Sequence, residues 1–533
     1  MLRCSVLASA LGNLSPGLDC LDVTPVVLDS VGAERIADGI RKSKLQRLHL
    51  CNNMSTRVAR KLFAAVNSCQ SLTSLHFAGY TLFSRSSATA LASALKSNRT
   101  LQKLLVSFLD DDVLGIILAS LNHNNTLREM SLDYSVDVPR TTLLDGLQAL
   151  GANTGLKCLE LRNVSFVNSC AIAIADVLRG NSTLEDLSLS VNWIGDLGAS
   201  AMAKTLERSS CLRRLNMSSC RLTGDVVSKF VEAVSRNSAV ECVRLGHVEI
   251  PADWTPTVPL TEDVFCRLHV TWNARALEQW AACLLQEGHH NQRPCLGWTK
   301  AADSASIVQW FSAASASSTW LVELVIECPN VVDADCNRAV VSFLETTRSL
   351  KKLIVRPPEH NYFFSTAVMN GLARNKSVCE AEFNQALRAH SDLQALAALL
   401  LVNRTLHRLK FNGYTFLSKT PAFLARALDD NFVFLTLEFE HYNAESDLYP
   451  VMCALNRNRS FLNKAVERVL NGTGDEESVR ALRLLSATES LLDAVSNVSG
   501  NTRDESQRLV LEAVSLLEPP LTDDSVTAAQ IEA

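Results

Sequence analysis

Five short segments toward the end of this 533-residue chain carry charges of alternating sign. Glu323 and Glu327 are followed by Lys352 and Arg356, then by Glu380 and Glu382, then by Arg408 and Lys410, and finally by Glu438 and Glu440. On neighbouring strands about 4.8 Å apart, each row would face the opposite charge. That chemistry is either a charged protein-binding face or a ladder that neutralises itself. Other reactive residues form no catalytic constellation. The sequence holds no GxxxxGK[ST] phosphate loop, HExxH or GxSxG. His289 and His290 are adjacent in a polar stretch with no third ligand beside them. The sixteen cysteines form no CxxC pair and no Cys/His cluster with zinc spacing. The expectation is a chain without catalytic residues, cofactor or metal.

The elements that position those charges come from a repeated unit, Leu-x-x-Leu-x-Leu-x-x-Asn, recurring about every 28 residues. Leu45, Leu48, Leu50 and Asn53 fill it in one copy, and Leu184, Leu187, Leu189 and Asn192 in another. First positions align from Leu18 through Arg293 to Phe434. The first half of the unit alternates like a strand, with one face buried. The second half reads as a helix: in NWIGDLGASAMAKTLERS, Ile194, Leu197, Ala201 and Leu206 fall at helical spacing. Eight helices are expected to close at an Asn three residues before the next unit (Asn98, Asn124, Asn153, Asn181, Asn237, Asn375, Asn403 and Asn431), because Asn tolerates the left-handed conformation. Strict alternation of strand and helix predicts parallel strands backed by helices.

The solvent-facing strand positions form the predicted concave wall. Upstream of the charged rows that wall is polar and mixed, with Arg47, His49, Arg214, Arg244, Arg267 and His269 as candidate partner-binding residues. Six of the seven tryptophans cluster between Trp254 and Trp320. Trp280, Trp298 and Trp310 read as core; Trp254 and Trp272 read as surface candidates, since Trp is enriched at binding hot spots.

The segments LEDLSLSV and NWIGDLGASAMAKTL resemble the repeat of ribonuclease-inhibitor-type leucine-rich repeat proteins. That group includes ribonuclease inhibitor, the Ran GTPase-activating protein and the C-terminal domains of NLR innate-immune receptors. The junctions NRTLQKL, NSTLEDL and NRTLHRL look most like the NLR repeats. The resemblance implies an α/β leucine-rich repeat solenoid with parallel concave strands, convex helices and a helical C-terminal cap. It also implies a non-enzymatic protein–protein interaction scaffold, in innate immune signalling or its regulation. The nucleotide-binding module of a full NLR is not in the sequence. The alternative is a GTPase-activating regulator of a small GTPase; Arg57 lies in roughly the right region, but its STRVAR context does not match that family.

Composition is consistent with a solenoid. The chain is 47% hydrophobic and 20% charged, with a net charge of −5, which suits a large core and argues against a nucleic-acid partner. Several cysteines fall at repeat positions, so they read as reduced thiols of a cytoplasmic protein. No apolar stretch is long enough to span a membrane. About a dozen Asn-x-Ser/Thr sequons arise from the repeat itself. The expected organisation is an N-terminal cap and weak first repeat over 1–44, repeats over 45–250, a degenerate Trp-rich stretch over 251–320, repeats over 321–460, and a helical cap over 461–533. One continuous horseshoe is the expectation, with two domains as the alternative. The expected partner is another protein.

Overall fold

A computed structural model describes residues 19–517, apart from 24–27, 29, 43, 79–81, 110–111, 136–139, 287–293, 300–301, 317–320, 329–331, 357–361, 385–389, 416–420, 443–448 and 473. Leu18, His289, His290, Arg293 and Trp320 lie outside the described residues, as does part of the expected N-terminal cap.

The described strands fall into two sheets. The first holds β1 (Cys20–Asp22), β2 (Arg47–Cys51), β3 (Ser74–Ala78), β4 (Lys103–Leu109), β5 (Glu129–Ser135), β6 (Cys158–Arg162), β7 (Asp186–Ser188), β8 (Arg214–Asn216), β9 (Cys242–Gly246) and β10 (Leu268–Val270). The second holds β11 (Cys295–Gly297), β12 (Glu323–Glu327), β13 (Lys352–Arg356), β14 (Glu380–Phe383), β15 (Arg408–Thr415) and β16 (Thr436–Tyr442). Every strand pairs in parallel with its sequence neighbour in its own sheet. Two compact units result: Met1–Ala276 with Thr299–Ala301, and Leu277–Trp298 with Ala302–Ala533. Each is a leucine-rich repeat solenoid in which one repeat packs on the next.

The alternating pattern builds this directly. The apolar positions Leu45, Leu48, Leu50, Leu184, Leu187 and Leu189 are each no more than 2% exposed. The ninth unit residue differs between the two clearest copies. Asn192 is buried, donates through Nδ2 to Leu161 O and Leu189 O at 2.8 Å each, and accepts from the Val164 and Phe166 amides. In the earlier copy Asn53 is exposed and Asn52 is the buried residue, bonded to Ser107 O.

The helix-closing asparagines hold the repeats together by another route than the expected one. Their backbone is extended, not left-handed: Asn98 sits at φ −68°, ψ 135° and Asn124 at φ −128°, ψ 112°. The chain must turn straight from helix into strand, so the side chain, and not a left-handed backbone, satisfies the orphan groups. Nδ2 of Asn403 donates to Leu372 O at 2.7 Å and Asn375 O at 3.0 Å, both in the preceding repeat. Its Oδ1 accepts from the Thr405 and Leu406 amides of its own strand entry. Asn124, Asn153, Asn181 and Asn431 repeat the arrangement. Seven of the eight expected asparagines are buried; Asn237 is half-buried. The sequon asparagines among them, such as Asn98, Asn181, Asn375 and Asn403, are thus committed to internal bonds.

The C-terminal helices cover the last apolar layer of the second unit. Phe461, Leu462, Val466 and Val469 of the helix Tyr449–Asn471 pack with Leu482, Leu485, Leu491, Val495 and Val510 from the three helices that follow. Lys351, one residue before β13, pairs with Glu489 of this cap at 2.6 Å. In the Trp-rich stretch, Trp280 and Trp310 are fully buried with ring centroids 5.2 Å apart, and Trp298 is buried as well.

Candidate partner-binding faces

The charged rows lie on the strands as expected, and the register sorts them into parallel lines. Glu323, Lys352, Glu380 and Arg408 stand side by side across β12 to β15. Glu382, Lys410 and Glu438 form a second line across β14 to β16. Cross-strand pairs form at Lys352–Glu323 (3.6 Å), Arg356–Glu327 (3.6 Å) and Arg408–Glu438 (3.2 Å). Glu382 accepts from the Asn412 amide. Lys410 is half-buried and has no ion-pair partner among the described residues. Glu327 is only 6% exposed, closed in beside Cys295 Sγ at 3.6 Å. The side chain of Glu440 lies outside the described ones. The face is therefore partly self-neutralised, and its remaining charge sits around Lys410, Glu382 and Glu380.

In the first unit the wall candidates divide. Arg47 and Arg214 are exposed. Arg214 bridges Asp186 and Glu241 across three strands, and these carboxylates hold its guanidinium more firmly protonated than usual. His49 is half-buried between Asp22 at 3.5 Å and the His76 ring, whose centroid is 5.1 Å away. Burial, then the His49 charge, push the His76 pKa down. Arg244 is half-buried, with no acceptor for its Nε among the described residues.

Three residues read as surface candidates sit inside the structure. His269 is 5% exposed, with its ring at 3.2 Å from Cys266 O and 3.6 Å from Cys242 Sγ. Trp272 is fully buried against Phe265, ring centroids 5.1 Å apart. Their partners Phe265 and Cys266 both belong to the short helix Glu262–Arg267, which runs directly into β10 where an open wall was expected. Arg267 is 12% exposed and donates to Val240 O and to Val234 O and Asn237 O, the last two being the carbonyls that an asparagine of the ladder would otherwise take. Trp254 is half-buried, its Nε1 donating to Ser228 Oγ at 3.1 Å.

The most exposed tryptophan among the described residues is one the clustering of the other six had hidden. Trp193 is 59% exposed, and the Arg221 guanidinium lies 3.8 Å from its ring centroid. Leu197, expected on the inner face of its helix, is 72% exposed. The available signal was positional: Trp193 directly follows the buried Asn192, so alternation points it outward. Arg57 is exposed in the first turn of the helix Thr56–Ser68.

The fifteen described cysteines are all free thiols. Burial raises Cys158 and Cys220 to about 11, and Cys336 to about 12. Among the described residues no group of three His, Cys, Asp or Glu could hold a metal, and no helix is long and apolar enough to cross a membrane.

Comparison with known proteins agrees with the fold. The Leucine Rich repeat family model matches residues 180–203. Leiomodin-2 of Mus musculus is 27% identical over 171 residues, covering 32% of this chain and 30% of its own. NACHT, LRR and PYD domains-containing protein 9 of Bos taurus is 30% identical over 136 residues, 25% of this chain and 14% of its own. NACHT, LRR and PYD domains-containing protein 5 of Homo sapiens is 26% identical over 250 residues, 45% of this chain and 21% of its own. The matched region thus spans less than a third of each of these relatives.

Proposed function

We propose that this chain, a leucine-rich repeat protein similar to the repeat domains of the NACHT, LRR and PYD domain proteins, is a non-enzymatic scaffold that binds a protein partner on its strand face. The observation that carries this reading is the set of parallel charged lines on β12 to β16, half-exposed and spaced by the strand register. Parallel strands set such side chains about 4.8 Å apart, an array suited to the charges of another protein surface and too open to enclose a small molecule. Likeness to the NACHT, LRR and PYD proteins supports a role in innate immune signalling or its regulation, and a cytoplasmic location.

The test is affinity capture with the combined charge reversals Lys352→Glu, Arg356→Glu, Arg408→Glu and Lys410→Glu, with circular dichroism confirming the fold. The expected result is loss of one or more partners. An unchanged partner set removes the C-terminal strand face from the reading. A GTPase-activating role would instead show as stimulated GTP hydrolysis that disappears in Arg57→Ala.

A further inference from the structure

Five successive repeats of the first unit leave their strands through a residue with left-handed backbone: Phe108 (φ 57°), Tyr134 (60°), Asn163 (53°), Val191 (59°) and Ser219 (58°). Asn is among the side chains that accept this conformation; Phe, Tyr and above all the β-branched Val do not. Burial does not compensate, since Tyr134 is 41% and Val191 36% exposed. The Phe108 and Tyr134 rings meet tilted at 44°, with centroids 5.1 Å apart. Trp193 stands beside Val191, and its backbone bridges to that of Val167, itself 37% exposed. Local backbone preference and solvent exposure are both violated along one ridge, which is where a sequence spends stability on recognition.

The chemistry changes at the downstream end. Asp225, Glu249 and Asp253 are exposed, and none forms an ion pair among the described residues. Of the nearby basic residues, Arg221 is laid over Trp193, and Lys229, one turn on from Asp225, donates to Ser200 Oγ at 2.7 Å. From Phe108 to Ser219 are four strand steps of about 4.8 Å, or about 19 Å. A helix of about 13 residues has that length.

Resting on the scaffold reading, we propose that the ridge Phe108–Tyr134–Val191–Trp193 docks an amphipathic helix of a protein partner. Its apolar stripe lies on these four side chains, and Lys or Arg at one end faces Asp225, Glu249 and Asp253. Trp193 is the anchor, as large aromatics are at interface centres.

The experiment uses three fluorescein-labelled 18-residue peptides in anisotropy titrations against the full chain: an amphipathic Leu/Lys helix, its Leu/Glu counterpart, and a scrambled Leu/Lys sequence. The Leu/Lys helix is expected to bind at least tenfold more tightly than the other two. Trp193→Ser, and the triple variant Asp225→Lys, Glu249→Lys, Asp253→Lys, are each expected to weaken it at least tenfold. Val191→Asn, which relaxes the backbone, is expected to weaken binding without lowering the melting temperature, so that lost binding is not lost folding. Unchanged affinity in these variants, or equal binding of the Leu/Glu peptide, overturns the proposal. So does self-association in sedimentation velocity that Trp193→Ser abolishes, because the occupant is then a second copy. A partner lost on strand-face charge reversal but kept by Trp193→Ser overturns the ridge and leaves the scaffold standing; the opposite pattern removes the strand face and keeps the ridge.

Discussion

Replacing Asn403 by alanine would remove four hydrogen bonds at once and leave the amides of Thr405 and Leu406 unpaired, while Leu372 O keeps the Asn375 amide and Asn375 O the Thr405 hydroxyl. Leaving buried polar groups unpaired costs about 1–3 kcal/mol each, less where water enters. Asn403→Ala is therefore expected to destabilise the second unit by about 3 kcal/mol, read as a shift in urea midpoint. A surface change such as Arg404→Ala should move it by less than about 0.5 kcal/mol. The position of these asparagines was legible in the sequence because the spacing never varies. Their role was not, since a side chain that bonds backward to another repeat leaves no trace in local propensity. Cysteine chemistry is settled at this scale too. Cys453 is exposed, whereas burial raises Cys158 and Cys220 to about 11. Thiol labelling at pH 8 of the folded protein should modify Cys453 first, and mass mapping should find Cys158 and Cys220 unmodified until denaturant is added.

Among the elements, the terminal cap is the most consequential. Leu482 and Leu485 are fully buried in the cluster that closes the second unit. Leu482→Ala should cost about 2–5 kcal/mol and raise binding of a hydrophobic dye before the strands themselves unfold. His407, just before β15, is held below its ordinary pKa chiefly by burial, partly offset by Glu380 and by Asp493 of the cap. The folded state thus resists a proton that the unfolded chain accepts near pH 6.5. Stability is intact above that value and declines as pH falls through it toward the lower folded pKa. His407→Gln should flatten the difference in urea midpoint between pH 7.5 and 5.5. The cap was legible from its amphipathic spacing, because Phe461, Leu462, Val466 and Val469 share one face. The covering of Trp272 and His269 was not, since the helix Glu262–Arg267 is too short to give a periodic signal.

For the molecule as a whole, repeats that touch only their neighbours do not melt as a single body. Scanning calorimetry should give a van't Hoff enthalpy well below the calorimetric enthalpy; equality of the two would contradict a nearest-neighbour solenoid. The succession of strands from β1 to β16 was readable because the 28-residue period persists where the consensus fades, at Phe265, Leu268 and Val270 for example. The division into two sheets was not readable, because the apolar period runs on across the segment where strand pairing does not. The exposed ridge was hidden for a related reason: Phe108, Tyr134 and Val191 look like ordinary strand residues until their backbone signs are known.

The asparagine ladder also has a direction. In each rung the donor amide reaches back to carbonyls of the repeat before it, while the acceptor oxygen serves the strand that follows. A chain leaving the ribosome exposes its N-terminal repeats first. Every new rung therefore emerges to find its acceptors already made, and the nascent protein can close like a zip at the pace of translation. A chain refolding from denaturant has no such order, and must find the same pairings from any starting point.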